Sequence, residues 1–433
     1  MSTFSRDSIS KQGHLLIGGK VYDAKAYGMG DHPGGKVLLT QLGRDATDVF
    51  RTFHPDAVYE QLANFYIGDL ESSNEPAADP FTLAIRKLDE KFRHEGFYET
   101  SHVFYACIQL ITLSLLVAAG VGLKYFGHTI VGVLVSAVFL ALFFQQSGWL
   151  AHDYAHAQVF NSSALNAVGG MIWGPCAQGL SVQWWKRKHN THHSTPNVHG
   201  SDPDIDTAPF LAWSDNALEM FADVSDAELK TMFAKVLFTH QVFAYFPLLT
   251  FARLMWSYAS LRTDFGKDSK ATLGQRAALL FHWTWVIALS TIAPTVALRV
   301  LFLVASMGLS GQFLALVFAL NHNGMEIFSR AQWSASAQGF FELQVRTGRD
   351  ITPTLLGEWF SGGLGQQVSH HLFPRMPRHN YAVVQPLVKA LCAEHGVPYH
   401  QTGFFQGTGE VLGRLNQVAG SARSMLKETK KVL

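Results

Sequence analysis

Two long apolar runs without a charged residue constrain this chain more than any other feature. They cover Val103 to Leu123 and Thr129 to Ala151, and each is long enough to cross a hydrocarbon core of about 30 Å as a helix. Residues 124–128 leave room only for a tight connection, so the two runs predict a helical hairpin. A second pair at about residues 277–297 and 300–320 predicts another hairpin, which gives four membrane-spanning helices.

The composition supports a membrane protein and excludes other classes. Charged residues make up only 15% of the 433-residue chain, and the formal net charge is +1. A nearly neutral chain argues against a nucleic-acid-binding surface. The three cysteines are far apart, which argues against a thiolate metal site. Two further apolar stretches, residues 168–185 and 236–252, are interrupted by glycine, proline or histidine and are interpreted as lying in the membrane interface.

Three histidine clusters lie at the ends of apolar stretches. The clusters are His152 with His156, then His189 with His192 and His193, and finally Gln367 with His370 and His371. On a helix, spacings of three and four residues place side chains on one face, and converging neutral imidazoles suit a transition metal such as iron or zinc. Seven histidines and one glutamine are too many ligands for one ion, so the pattern predicts a site for two metal ions.

The three clusters can share a site only if they lie on one side of the membrane. Each predicted hairpin returns the chain to its starting side, so this holds if the stretches at 168–185 and 236–252 do not cross. Lys186, Arg187 and Lys188 beside the second cluster favour the cytosolic side. The N-terminal segment precedes an even number of predicted spans and is therefore expected on that side as well.

Residues 8–72 have the composition of a small soluble domain and contain two histidines in turn-forming contexts. His32 opens a His-Pro-Gly-Gly sequence, and His54 precedes Pro55. Two imidazoles on opposed loops can clamp a haem from both sides, and a buried cofactor would complete a core of this small size. We therefore expect His32 and His54 to bind haem b. Residues 73–100 are predicted to form a linker and an amphipathic segment.

Both halves of the chain resemble known families. His32-Pro33-Gly34-Gly35, together with Val21-Tyr22-Asp23 and Gly43-Arg44-Asp45-Ala46-Thr47, resembles cytochrome b5. The three histidine boxes, with glutamine at the first position of the third, resemble front-end fatty acyl desaturases, as do residues 184–207 and 372–380. The resemblance implies a mainly α fold. A small α+β cytochrome b5-like haem domain (residues 8–72) precedes a four-span α-helical membrane domain (residues 101–400) with a cytosolic histidine-rich di-iron cap and a C-terminal cytosolic tail (residues 401–433).

The resemblance also implies an activity. Such an enzyme uses O2 to introduce a cis double bond between an existing double bond and the carboxyl end of a polyunsaturated fatty acid, with Δ6 as the expected position. Electrons would pass from NADH–cytochrome b5 reductase through the haem to two non-haem irons. The substrate would be a long-chain acyl-CoA or a phospholipid acyl chain at the endoplasmic reticulum membrane. The expected iron ligands are the seven clustered histidines, with His322 and Gln367 as further contributors.

Other functions remain compatible with these motifs. A cytochrome b5-fused sphingolipid Δ8 desaturase or a fatty acid hydroxylase would share the scaffold, and the Δ5 and Δ4 positions are also open. From other classes, a zinc-dependent membrane hydrolase or a membrane-anchored electron carrier would use part of the motif set. Asp202, Asp204 and Asp206 either accept hydrogen bonds from ligand imidazoles or face solvent, whereas Asp153, inside the first box, is favoured as such an acceptor.

Overall fold

The computed structural model describes residues 2–30, 32–55, 58–71, 78–219, 236–335 and 339–432. It comprises a small N-terminal unit with a four-stranded sheet and a larger helical part. Residues 73–77 of the predicted linker lie outside the described residues.

The N-terminal unit holds two loops that carry candidate haem ligands. Its strands are β1 (Thr3–Phe4), β2 (Leu15–Ile17), β3 (Lys20–Tyr22) and β4 (Tyr66–Leu70), and its helices are α1 (Arg6–Gln12), α2 (Lys25–Gly30), α3 (Thr47–Phe53) and α4 (Tyr59–Leu62), with 3-10 helices at Gly35–Gln41 and Ala63–Phe65. The sheet order is β1-β4-β3-β2, in which β1 is parallel to β4 and the other pairs are antiparallel. Leu15 and Ile17 belong to the same buried cluster as Phe50 of α3, so the sheet supports the helix that ends beside His54.

The helical part is built around long helices. It contains α5 (Pro80–His94), α6 (His102–Phe126), α7 (Ile130–Ala155), α8 (Ser163–Met171), α9 (Val182–Ser194), α10 (Asn216–Glu219), α11 (Gln241–Phe265), α12 (Leu273–Ser290), α13 (Val296–His322), α14 (Arg330–Ala335), α15 (Phe340–Thr347), α16 (Leu355–Ser361), α17 (Gln367–Leu372), α18 (Tyr381–Glu394) and α19 (Phe404–Val432), with a 3-10 helix at Arg378–Asn380. A short parallel sheet pairs β5 (Asp350–Ile351) with β6 (Gln401–Thr402).

Three of the described helices are long and apolar enough to cross a membrane, namely α6, α7 and α13. They correspond to three of the predicted spans, whereas the span predicted at residues 277–297 is not confirmed. The helix there, α12, ends at Ser290 because residues 291–294 form a turn and Thr295 caps α13 by accepting a hydrogen bond from the Leu298 amide. Its 18 residues cover about 27 Å at 1.5 Å per residue.

Helices α6–α7 and α12–α13 form two neighbouring hairpins whose turns lie at the same end. Leu123 of α6 and Ala293 of the α12–α13 turn belong to one buried apolar cluster, and a Cβ atom built on Gly120 would lie 3.6 Å from Leu289. The last turns of α7 and α13 therefore meet at the opposite end, which is where both helices carry histidines.

The two stretches interpreted as interfacial lie outside these three helices. Residues 168–185 include the end of α8, a π-helical segment at Ile172–Gln178 that contains Pro175, and the start of α9. Most of residues 236–252 belongs to α11, a 25-residue helix that also contains a proline, Pro247. Neither α11 nor any helix of residues 168–185 is among the described candidates for a membrane span.

The segment predicted as a C-terminal tail forms the 29-residue helix α19. Val411, Leu415 and Val418 are buried and recur at the spacing of one helical face. Val411 and Leu415 pack in a cluster with Tyr245 of α11 and Ala319 of α13. This apolar face therefore fixes the helix against α11 and α13.

Candidate functional site

The sequence-predicted metal ligands come from four helix ends and converge in the buried interior. His152 lies in the last turn of α7 and His156 caps its end, α9 carries the second box, and α17 carries the third. The start of α17 is fixed because the Val368 amide donates to Asp350 Oδ1 at 2.9 Å, which satisfies a backbone N–H that has no partner inside the helix. His322 is the last residue of α13.

Five imidazoles make up what we call the first histidine group. Its members are His152, His156, His189, His193 and His370. The Nε2 atoms of His156 and His189 are 3.0 Å apart, and those of His152 and His370 are 3.2 Å apart. His193 Nε2 lies 2.9 Å from His189 Nε2 and 3.0 Å from His370 Nε2. The ring nitrogens therefore point at a common centre.

Three further imidazoles make up the second histidine group, which consists of His192, His322 and His371. His322 Nε2 lies 3.1 Å from the Nε2 atoms of both His192 and His371. The Gln367 Nε2 atom lies 2.8 Å from His322 Nε2. The structure thus brings every predicted metal ligand into one of two adjacent groups, including His322 and Gln367.

The donor chemistry of both groups fits metal ions. Imidazole must be neutral to bind a metal. Burial lowers the pKa of four of the clustered histidines well below the ordinary range, namely His189, His193, His370 and His371. His322 and His371 each have Nδ1 beside an oxygen acceptor, so their facing Nε2 atoms, 3.1 Å apart, both present lone pairs, and a cation between them would satisfy these lone pairs. Two such centres fit two ions.

Side chains and carbonyls around the groups orient the rings. The Nδ1 atoms of His192, His322, His370 and His371 lie near oxygen atoms of Asp202 (2.9 Å), Thr347 (3.0 Å), Tyr381 (3.0 Å) and Gln344 (2.7 Å), respectively. An occupied Nδ1 fixes the tautomer that presents Nε2 to a metal. Asp202 thus accepts a hydrogen bond from a candidate ligand imidazole, which is one of the two alternatives that the sequence left open. Asp153 lies 3.4 Å from His152 Nδ1 and 3.1 Å from the Arg378 guanidinium. Sequence reasoning missed Gln344, Thr347 and Tyr381, which belong to no motif.

An apolar cavity of about 640 Å³ reaches both histidine groups. His152, His189, His192, His322 and Gln367 contribute to its wall near the groups. Most of the remaining wall is apolar and aromatic, and it includes Trp149, Leu249, Trp256, Leu314 and Phe318. The volume lies within the range of small-molecule sites, and the lining suits a hydrocarbon chain.

The N-terminal unit contains a second candidate cofactor site. The imidazole centroids of His32 and His54 are 6.1 Å apart. An iron between the two rings, with metal–nitrogen bonds of about 2.0–2.1 Å on each side, would hold the ring centroids at a similar separation. His54 Nδ1 lies 3.1 Å from the Phe50 carbonyl, and His32 Nδ1 lies 3.3 Å from the Gly35 carbonyl, so each Nε2 is free to bind. Burial lowers the pKa of His54 to about 4. The pair therefore fits bis-histidine haem ligation.

The sequence matches two families. Residues 128–403 match the family described as fatty acid desaturase, and residues 2–71 match the cytochrome b5-like heme/steroid binding domain. An acyl-lipid (9-3)-desaturase of Physcomitrium patens is 36% identical over 419 residues, which cover 94% of this chain and 76% of the relative. The Δ6 fatty acid desaturase fat-3 of Caenorhabditis elegans is 31% identical over 418 residues (90% and 92%), and a Δ8 fatty acid desaturase of Euglena gracilis is 30% identical over 388 residues (85% and 87%).

A haem-binding domain joined to apolar helices and a two-group histidine site defines an O2-dependent oxidoreductase. The chain belongs to the fatty acid desaturase family, in the front-end branch that carries a fused cytochrome b5 domain. Membership confirms the predicted cofactors, which are haem and two irons, with O2 as co-substrate, and it implies electron transfer through the haem to a lipid substrate site. The individual iron ligands and the Δ6 position stay predictions.

Proposed function

We propose that this protein introduces a Δ6 double bond into long-chain polyunsaturated acyl chains. The observation that carries the proposal is the apolar cavity that reaches both histidine groups, because it joins the space for a hydrocarbon chain to the candidate metal centre. Relatives of the chain include Δ6, Δ5, Δ8 and (9-3) enzymes at 29–36% identity. The (9-3) and Δ6 relatives support the position that we propose.

The first and second histidine groups are the proposed ligands of the two irons. When bound, the irons supply O2 activation and the removal of two hydrogens from adjacent methylene groups. Around them, Asp202 and Gln344 fix the tautomers of His192 and His371 through hydrogen bonds of 2.9 and 2.7 Å. An acyl chain against the apolar and aromatic cavity wall would displace water from the same region, which protects a reactive site from side reactions.

Gln367 is proposed to bind the iron of the second histidine group through its side-chain oxygen. Its Oε1 accepts a hydrogen bond from Asn321 Nδ2 at 2.8 Å, while Asn321 Oδ1 has no hydrogen-bond partner among the described residues. The nitrogen and oxygen of an amide are interchangeable in shape. If both amides rotate together, Gln367 donates to Asn321 Oδ1 and turns its own Oε1 toward His322. The rotation keeps the amide pair and gives the second group a fourth ligand.

The acyl chain is proposed to enter with its carboxyl end at the polar part of the cavity. Lys188 forms an ion pair with Asp204, and both line the cavity beside His192. The methyl end would then lie along the apolar wall near Leu314 and Phe318. A coenzyme A thioester and a phospholipid are the two acyl carriers that this orientation allows.

Electrons are proposed to come from NADH–cytochrome b5 reductase through the haem held by His32 and His54. The haem domain and the histidine groups are proposed to face the cytosol at the endoplasmic reticulum membrane. A common side for the histidine groups is supported by the 3.0 Å approach of His156 to His189 and the 3.1 Å approach of His192 to His322, since the ends of α7, α9 and α13 must then lie together. We propose that α12, despite its 18 residues, returns the chain across the membrane before α13, which completes the second hairpin.

Product analysis in yeast tests the proposal. Cells that lack the activity would express the chain and receive acyl chains that differ in length and in existing double bonds. We expect products that have lost two hydrogens, with the new double bond at Δ6. A His192→Ala variant should lose the product but keep the haem spectrum. Added oxygen would indicate a hydroxylase, a bond at another position would refute Δ6, and unchanged lipids would refute desaturation.

A further inference from the structure

The N-terminal unit is docked against the helices that carry the histidine boxes. The 3-10 helix at Gly35–Gln41 contacts the end of α9, where Gln41 Nε2 donates to Ser194 Oγ at 2.7 Å and the hydroxyls of Thr40 and Ser194 are 2.8 Å apart. Gln41 and Ser194 are both buried. A buried hydrogen bond that crosses two units indicates a defined contact, because leaving its atoms unpaired would cost free energy.

Charged side chains add two further contacts between the units. Asp48 of α3 accepts two hydrogen bonds from Arg86 of α5, at 2.7 and 3.1 Å, in the bidentate geometry that fixes orientation. The Arg44 guanidinium lies 4.1 Å from the centroid of the Trp333 ring, which is a favourable cation–π distance. Together with the buried hydrogen bonds, these contacts hold α3 in a fixed position over the histidine groups.

Phe53 links a candidate haem ligand to a candidate iron ligand. It is the last residue of α3, directly before His54, and its ring meets the His193 ring edge-on with centroids 5.7 Å apart. The distance and angle are those of a typical aromatic contact. One peptide unit and one ring contact therefore connect a candidate haem ligand to a candidate iron ligand.

His193 is also held differently from its neighbours. Its Nδ1 atom is buried and has no hydrogen-bond partner among the described residues, whereas the Nδ1 atoms of His192 and His371 face oxygen acceptors. The His193 ring instead stacks on His371 with centroids 4.1 Å apart and meets Phe53. Aromatic contacts thus hold this imidazole on the side that faces the haem domain.

We infer that Phe53 is the bridging residue through which electrons pass from the haem to the iron site within one chain. The inference rests on the proposed function. In each passage one electron would leave a ferrous haem held by His32 and His54, which would become ferric, and one ferric iron held by the histidine groups would become ferrous. Two passages supply two electrons, the acyl chain supplies two more with two protons, and one O2 takes up all four electrons and two further protons to give two waters. A pyridine-nucleotide-dependent flavin reductase reduces the haem again.

The inference is tested by the rate of haem oxidation in the purified, haem- and iron-loaded full chain. The haem is reduced anaerobically while the other irons are ferric, and its absorbance is followed as the electron leaves. For Phe53→Leu we expect oxidation at least about tenfold slower, equivalent to about 1.4 kcal/mol in activation free energy. Phe53→Trp keeps an aromatic ring and should stay close to the unaltered protein. Iron-depleted protein gives the background rate.

Two further measurements separate electron transfer from a structural effect. The haem spectrum, haem potential and iron content should be unchanged, and hydrogen exchange at residues 35–41 should show that the units stay docked. Phe97→Leu is the matched control, because Phe97 packs at the edge of the same apolar cluster as Phe53 and its ring contacts Phe92. Slow oxidation with intact docking supports the inference.

Other outcomes overturn it. An unchanged rate in Phe53→Leu, an equal effect of Phe97→Leu, or slowing that accompanies lost protection at residues 35–41 would each show that the ring is not the bridge. Failure of the proposed function is distinguishable, because it would appear in the unaltered protein as the absence of a new double bond, while haem oxidation by the iron site could still be measured.

Discussion

Replacing Asp202 by asparagine should weaken iron binding at the second histidine group and leave the haem in place. The Asp202 carboxylate is fully buried and accepts three hydrogen bonds, from His192 Nδ1 at 2.9 Å and from the backbone amides of Asn197 and Asp204 at 2.8 Å each. Asparagine has nearly the same shape but no charge and only one acceptor oxygen. It can keep the bonds to His192 and Asn197 only by turning its NH2 group toward the Asp204 amide.

The expected loss follows from these bonds. A hydrogen bond to a charged group contributes about 1.5–3 kcal/mol and a neutral one about 0.5–1.5 kcal/mol, so the change costs about 1–1.5 kcal/mol at His192. It also leaves one buried amide without an acceptor, which costs about 1–3 kcal/mol more. This agrees with the roughly 10–100-fold loss of metal affinity that follows when an acceptor behind a ligand histidine is removed. Asp202→Ala is the less informative variant, because it would leave all three donors without an acceptor.

A chelator titration measures the effect with an internal standard. Purified protein is equilibrated with increasing chelator, and non-haem iron is compared with haem in the same sample. We expect Asp202→Asn to release non-haem iron at a chelator activity about 10–100-fold lower than the unaltered protein does. Asp206→Asn is the control, since Asp206 pairs with His199 at 3.1 Å and is one-third exposed. Equal retention by Asp202→Asn and the unaltered protein would refute the reasoning.

Three further predictions concern stability, substrate space and haem. Burial raises the pKa of Asp350 from 3.8 to about 6, so between these two values the folded chain holds a proton that the unfolded chain has released. The free energy of unfolding therefore falls as the pH rises through this range, by up to about 3 kcal/mol. Asp350→Asn should show a smaller fall in the unfolding midpoint between about pH 4 and pH 7, and an equal fall would contradict this. In Gly148→Ala, the new methyl would lie 3.3 Å from Leu314 at the cavity wall, and we expect kcat/KM for the longest acyl chains to fall by about tenfold with shorter chains less affected; uniform kinetics would argue against an acyl chain there. His54→Ala should lose the haem absorbance and desaturation but keep the non-haem iron, and retained bis-histidine absorbance would exclude His54 as a ligand.

The sequence indicates which histidines lie together because its signals are local and periodic. His189, His192 and His193 share one face at spacings of three and four residues, and the long uncharged runs leave few alternatives to membrane helices. The sequence also indicates His322 and Gln367 through the family resemblance, and both lie at the second histidine group. These features need no knowledge of contacts between distant segments.

Other features depend on tertiary contacts that no local pattern encodes. The apolar run predicted to end at residue 297 is broken after Ser290, where a turn and the Thr295 cap start a new helix. Gln344 and Tyr381 orient imidazoles from separate helices, and neither lies in a recognisable motif. The contact between Phe53 and His193 joins two units that are distant in the sequence, so only their docked arrangement reveals it.

The most direct test of the account is the metal content of the purified full chain. We expect one haem and about two non-haem irons per chain, since the eight imidazoles form two groups and a bis-histidine site binds the haem. Substitutions in either histidine group should reduce the non-haem iron while the haem remains. One zinc per chain, or haem without further iron, would contradict the di-iron site and with it the proposed desaturation.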